Sequence, residues 1–318
     1  MTTLTQTTRH WSSVKEAGTL LGLRFLWLMH RVFGRWMVSL MLLPTVLYFL
    51  IFRAETRNAS KQYLQIHYQQ YPDYWNNKPN LRNVARHFWE FAETVVDKLL
   101  SWFVEIDADQ FDIQDEDYLE SLMADKSGRL IIGSHFGNLE YCRGFVHRYR
   151  EIVINILIHD KHSENYNTLM QQLNSESRVN IFQVSEFDVQ TMLKIKAKID
   201  AGEWIFIAGD RTPPSGNLRT TEVDFMGHKA LLPIGPYLLA KGLACPVQLL
   251  FTYCDYTSRN RKIKVEMINF SDQIKIDRKD REKELNKYAQ QYATQLEDRC
   301  ARSPYQWFNF YDFWAKHE

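Results

Sequence analysis

Cysteine is scarce in this sequence. Its four residues, Cys142, Cys245, Cys254 and Cys300, form no CxxC pair and have no His-rich companion segment. That pattern offers no zinc site or other metal-ligand set, and a chain of this size does not rest on a disulfide framework. An excess of one charge is missing too. Lys and Arg number 39 against 38 Asp and Glu, a formal net charge of +1, so no broad positive field is available for wrapping nucleic acid. Internal repeats and low-complexity stretches are absent. A cleaved leader fits poorly, because the first long apolar run begins late and lacks small residues at a cleavage position.

What the chain has in quantity is aromatic: nine Trp, sixteen Tyr and nineteen Phe. Such rings fill cores, and they also suit a membrane–water boundary, where one end is dry and the other wet. Residues 36–52, "WMVSLMLLPTVLYFLIF", carry no charge and are bracketed by Arg35 and Arg53. As a helix this run spans ~25 Å, the short edge of a bilayer core, and Pro44 in its middle is expected to kink it. The preceding "LLGLRFLWLMHRVFGRW" mixes apolar and aromatic residues with Arg24, His30, Arg31 and Arg35, which suits a helix lying in the interface. Residues 1–54 are therefore expected to anchor the chain to a membrane, as a short kinked span or a re-entrant segment. A buried core helix is the plainer alternative, and basic residues on both sides leave the orientation open.

From residue 53 to about 123 the apolar spacing is helical, with Pro72 and Pro79 separating two helices. This region, 55–123, is expected to pack on the domain that follows it. After the turn Asp125-Lys126-Ser127-Gly128 the texture changes to short apolar runs at 129–134, 152–158, 180–184, 204–209, 245–253 and 262–268. Helical stretches at 139–149, 163–173, 186–201 and 235–242 alternate with them, and a charged helix at 278–302 precedes an aromatic tail. Such alternation predicts an α/β fold for 124–318, a mostly parallel central sheet flanked by helices. Ligands of such sheets bind at the carboxyl ends of the strands.

One of those ends reads "IIGSHFGNLE", with His135 directly after a strand and Glu140 five residues later. In one uninterrupted helix the two side chains would point apart. A tight turn through Phe136, Gly137 and Asn138 would let them converge, and Gly137 allows the backbone to make it. Glu140 would then accept the Nδ1–H of His135 and raise the basicity of Nε2, which could take a proton from a hydroxyl. Asn138 is a candidate substrate contact in the same turn. The N-terminus of the following helix adds N–H donors for an anion or a developing oxyanion. The plain alternative is a strand-end histidine bonded to backbone beside a solvated Glu140.

A second strand end, "WIFIAGDRTPPSG", places Asp210 and Arg211 before a Pro/Gly-rich loop. Arg211 could hold a phosphate or phosphopantetheine bidentately, and Asp210 could orient it or a partner amide. Phe225, Met226 and Gly227 read as a strand leading to a helix started by Pro236. Its leucines between 231 and 239 could line an alkyl channel or simply pack a core.

Together "GSHFGNLE" and "IFIAGDRT…VDFMGHKALLPIGPYLLA" resemble the blocks of the lysophospholipid acyltransferase superfamily, in particular its bacterial branch of lipid A biosynthesis acyltransferases. The tail "SPYQWFNFYDFW" is similar to that of a subgroup associated with aryl-polyene and polyketide-like lipid clusters. The resemblance covers roughly residues 20 to 315. It implies a membrane-associated acyltransferase, with His135 the general base and Glu140 its acid partner. It further implies an acyl thioester as donor, on acyl-carrier-protein ahead of coenzyme A, a lipid or glycolipid hydroxyl as acceptor, and no cofactor. The location implied is the inner membrane, with the catalytic domain facing the cytoplasm. Two departures bear on the acceptor. Where the lipid A enzymes carry an arginine after the next strand, this chain has "IHDKHSENYN", with Lys161 as the nearest substitute, a point charge instead of a planar fork. Where they end in basic residues, Asn309, Phe310, Tyr311 and Asp312 stand here, which argues against lipid A itself. Two competing readings are a thioester or ester hydrolase using the same His135, and a catalytically silent protein that binds lipid or a carrier protein.

Overall fold

The computed structural model describes residues 20–101, 108–141, 152–158, 179–183, 188–211, 220–254, 256 and 261–314. Its strands are β1 (Phe111–Ile113), β2 (Arg129–Gly133), β3 (Ile154–Ile158), β4 (Val179–Gln183), β5 (Trp204–Ala208), β6 (Thr220–Phe225), β7 (His228–Pro233), β8 (Val247–Cys254) and β9 (Ile263–Ser271). Seven of them form one sheet in the order β1-β9-β8-β2-β5-β3-β4. Every neighbouring pair in it is parallel except β8 with β9. β2 is buried at all five positions and β8 at all eight. Both strands are covered on two faces, which is why they read as mostly apolar runs and not as strict alternation.

The described helices are α1 (Leu20–Phe33), α2 (Arg35–Phe52), α3 (Ala54–Gln70), α4 (Leu81–Leu100), α5 (Glu116–Ala124), α6 (Val189–Asp200), α7 (Gly235–Leu243) and α8 (Arg281–Arg302). They cover the sheet as the pleat requires, successive strand residues pointing to opposite faces. Leu130, Ile132 and Leu249 face one layer, shared with Tyr63 and Leu64 of α3, Val84 and Phe88 of α4, and Leu285, Ala289 and Leu296 of α8. Ile131, Phe206 and Leu250 face the other, with Leu119 and Leu122 of α5. α8 is pinned further by a buried ion pair, Arg299 Nη2 to Glu266 Oε2 at 2.7 Å. Removing either partner would strand the other's charge in the interior.

Three stretches depart from the sequence expectation. Within 53–123, expected to be helical, lies β1, whose three residues are too few to display a strand period. Residues 220–233 form the hairpin β6–β7 instead of a single strand before a helix. Its two turn residues, Met226 and Gly227, both take positive φ, 52° and 72°, the geometry that matches strand twist. The helix expected from 139 is, as far as it is described, a 3-10 turn at Leu139–Tyr141, and the one expected at 163–173 lies outside the described residues. Leu232 and Leu239 are buried in the main core, so packing accounts for them.

α2 is long and apolar enough to cross a membrane by length and composition, and it runs through Pro44 without interruption. It also lies along α4. Val38 packs with Val96 and Leu100, and the Phe49 and Phe88 rings are 6.2 Å apart. Arg35, at its start, donates to Glu93 Oε2 at 2.6 Å and pairs with Asp97. The opposite face of α2, with Trp36, Leu40, Leu43, Leu47 and Ile51, is exposed.

Candidate active site

β2 and β5 are parallel neighbours in which each residue pairs with the one 75 positions later, from Arg129 with Trp204 to Gly133 with Ala208. His135 and Asp210 stand two residues past those two strand ends and keep the same offset. The register therefore delivers them side by side at the carboxyl edge of the sheet. His135 Nδ1 lies 2.8 Å from Asp210 Oδ1, and the His135 backbone N–H donates to Asp210 Oδ2 at 2.9 Å. A third donor, the Trp307 indole Nε1–H, reaches the same Oδ2 at 3.1 Å.

The loop that carries His135 is fixed at each residue. Phe136 is fully buried, with its ring 5.1 Å from that of Tyr253. Gly137 has φ +68°, and a Cβ there would lie 2.0 Å from Thr252 O, so only glycine fits. Asn138 N–H donates to Thr252 O at 2.7 Å, and Asn138 O accepts from Thr252 Oγ1 at 2.6 Å. From the other side the aromatic tail is laid along the loop. Gly137 N–H donates to Gln306 O at 2.7 Å and Phe308 N–H to His135 O at 3.0 Å. Tyr292 of α8 donates to Gly133 O at 2.8 Å and closes the end of β2.

A half-exposed imidazole backed by a buried carboxylate at a parallel sheet's edge is an arrangement that can accept and return a proton. The sequence as a whole supplies the class. The chain belongs to the bacterial lipid A biosynthesis acyltransferase family. The family's model matches residues 9–316, nearly the whole chain. No curated protein matches the sequence.

As a member of this family the chain is an acyltransferase. The charge states of the His135–Asp210 pair follow from its surroundings. Asp210 is 2% exposed. Burial alone would push its carboxyl up, but the charge and hydrogen bonds of His135, with Arg211 beside them, outweigh that and hold it at about 2. It is an ionised acceptor at neutral pH. His135 is held below its ordinary value by loss of solvent and by the charges of Arg211 and Lys98, against the upward pull of Asp210. An ionised carboxylate can only accept, so at neutral pH the ring proton sits on Nδ1 and Nε2 keeps its lone pair. The His135 side chain is 37% exposed, and among the described residues Nε2 has no hydrogen-bond partner.

The site residues expected from sequence are distributed differently from the expectation. The role of Nδ1 acceptor, assigned there to Glu140, is filled by Asp210, and one ring N–H cannot point along two such bonds. The backbone of Glu140 lies in the turn at Leu139–Tyr141, and its side chain is outside the described set. Asp210, expected to orient substrate, faces His135 and Trp307. Arg211 is at the site, yet its Nη2 donates to Phe308 O at 2.8 Å and its guanidinium lies 5.9 Å from the Tyr311 ring centroid. Asn138 secures the loop, its side-chain amide contacting Thr94 O at 3.4 Å. Lys161 lies outside the described residues.

The backbone donors of the turn before the expected helix are committed elsewhere. The N–H groups of Phe136, Gly137 and Asn138 go to Ser134 Oγ, Gln306 O and Thr252 O. Positive charge near the ring comes instead from Arg211 and from Lys98 of α4. Lys98 sits in an ordinary amphipathic pattern that gives no hint of a site. Among the described residues no group of three or more His, Cys, Asp or Glu could hold a metal ion. An apolar cavity beyond the turn is lined by Leu119, Ile131, Leu139, Trp204 and Phe206. At about 40 Å³ it has room for roughly three waters, far less than a long acyl chain needs.

Proposed function

We propose that this chain moves an acyl group from an acyl thioester to a hydroxyl of a lipid acceptor, with His135 Nε2 as the general base. The observation that carries the reading is the ionised, buried Asp210 on Nδ1, which leaves the Nε2 lone pair directed away from its only described partner. In this mechanism Nε2 takes the acceptor's hydroxyl proton as the oxygen attacks the thioester carbonyl. The carbon–sulfur bond then breaks, and the departing thiolate recovers the proton from Nε2–H. The transient oxyanion is stabilised by Arg211 and Lys98, since the loop's own N–H groups are committed. Glu140 remains in the proposed catalytic set through the family motif, with Nδ1 assigned to Asp210.

The family supports a thioester donor, and acyl-carrier-protein is the donor we favour. Asn309 to Asp312, standing where lipid A enzymes carry basic residues, support an acceptor other than lipid A. Lys161 is the proposed headgroup contact. The decisive experiment is mass spectrometry of lipids from cells making the wild type or His135→Ala. The wild type should add one acyl mass increment that the variant lacks, at unchanged thermal stability. Equal increments would end the proposal. Fatty acid released at the same rate with and without lipid would favour a hydrolase.

For the membrane, we propose that α2 lies in the interface and does not span. It is held to α4 from Arg35 to Phe49, and withdrawing it into a bilayer would separate Arg35 from Glu93 and Asp97. The exposed face of α2, together with Phe25, Leu28 and Val32 of α1, is the surface offered to lipid, beside the basic residues Arg31 and Arg53. Replacing Leu40 and Leu47 with Ser should weaken vesicle binding about tenfold or more, as read by flotation. Unchanged flotation would contradict an interfacial face. The cytoplasmic side of the inner membrane follows from a carrier-protein donor.

A further inference from the structure

The aromatic tail reaches into the proton-transfer pair. Trp307 stands between the two backbone bonds that join the tail to the His135 loop, is 1% exposed, and turns its Nε1–H to Asp210 Oδ2. Its ring is locked by edge-on neighbours, with centroids 5.1 Å from Tyr63, 5.2 Å from Phe225 and 4.9 Å from Phe313. Its carbonyl accepts from His87 Nε2 at 3.0 Å. An indole so confined is a fixed dipole, already aimed and with no reorganisation left to make.

The Asp210 carboxylate thus has a divided duty. Oδ1 faces the ring proton of His135, while Oδ2 takes the His135 backbone N–H and the indole N–H. Donors at Oδ2 fix the plane of the carboxylate and draw its charge away from Oδ1. We infer that Trp307 is a positioning residue of this site, acting through Asp210 to set how strongly the His135 ring proton is held. The consequence for rate rests on His135 being the base, whereas the consequence for ring protonation does not. Packing alone would require a large ring at 307 and no N–H.

The test uses the full chain in detergent, with diethyl pyrocarbonate as the probe. The reagent modifies neutral imidazole, so the rate at His135 against pH, read by peptide mass spectrometry, gives that ring's titration midpoint. Two variants remove the N–H: Trp307→Phe, and site-specific replacement of Trp307 by β-(3-benzothienyl)alanine, which keeps the bicyclic shape and so guards against a folding failure. With one donor lost, Asp210 binds the imidazolium more strongly, and the midpoint should rise by about 0.5 to 1 in pH. Phe313→Leu loosens the same ring cluster without touching the N–H and should leave the midpoint in place. A benzothienyl variant that titrates like the wild type, or a Phe313→Leu variant that moves as far, would overturn the inference. No acyl substrate enters the measurement, so failure of the acyl-transfer reading would be seen separately, as an unchanged lipid profile.

Discussion

His87 and His135 are both tied to Trp307, one through its carbonyl and one through Asp210, and both are less basic than an ordinary histidine. His87 is fully buried with both nitrogens used. Its Nε2 donates to Trp307 O, and its Nδ1 accepts from Ser60 Oγ at 2.9 Å. No acid touches it in those bonds, and burial, opposed only by the bond to Trp307 O, takes it down to about 4. His135 has an ionised carboxylate on one nitrogen and an exposed edge on the other. A perturbed imidazole is therefore no mark of a site by itself. What separates the two rings is the kind of partner and whether one nitrogen is left for a substrate.

The largest effect expected from this comparison comes from making His135 more like His87. Asp210→Asn keeps an acceptor for Nδ1 but removes the charge, and should slow acyl transfer by about 10³-fold or more. The acid limb of the pH–rate profile should move down, because the imidazolium has lost its counter-charge. Glu140→Gln should leave that midpoint where it is, whatever it does to the rate. A midpoint that follows Glu140 and ignores Asp210 would reverse the assignment of partners.

Next in size is the response of stability to acid. His67, buried with Nε2 near Cys300 O at 3.0 Å and Nδ1 accepting from Trp75, is also pushed by burial down to about 4. In the unfolded chain both rings take protons near 6.5, but the folded chain refuses them until about 4. Stability is therefore fully present above about pH 6.5 and declines as pH falls towards 4, by up to ~3 kcal/mol for each ring. Thermal unfolding across that window checks it, and a flat melting temperature would contradict the burial argument. The Asp210 contribution has the carboxylate sign, present above about 3.8 and lost only as pH falls through about 2. The smallest effect is that of His87→Gln, which keeps a donor for Trp307 O and loses the Ser60 bond. It should cost ~1–2 kcal/mol in denaturant unfolding, with acyl transfer within a few-fold of wild type. A large loss of activity at full stability would make His87 part of the chemistry.

Much of the architecture could be read from residue patterns because its strands are doubly covered. "RLIIG", "WIFIA" and "VQLLFTYC" cannot be solvent-facing, and Pro236 and the spacing of Leu285, Ala289 and Leu296 mark their helices. β1 was beyond reach because it borrows its strand identity from β9. At the site, His135 was legible as a polar residue ending an apolar strand. Its partner was not, since Glu140 is near in sequence whereas Asp210 becomes near only through the β2–β5 register. The signal was nonetheless present, as two apolar runs ending at matching positions, each followed two residues later by a titratable side chain. Trp307 and Lys98 gave no such signal. One looks like another tail aromatic and the other like a helix-surface cation, and only long-range packing brings them to the ring.

The central claim is that at neutral pH His135 carries its proton on Nδ1, against Asp210, and presents Nε2 as a base. Nitrogen-15 NMR of the protein labelled at histidine, with the His135 resonances assigned by their loss in His135→Asn, measures this directly. The account predicts a protonated, pyrrole-like Nδ1 and a pyridine-like Nε2 at pH 7. A cationic ring, or a proton found on Nε2, would contradict it.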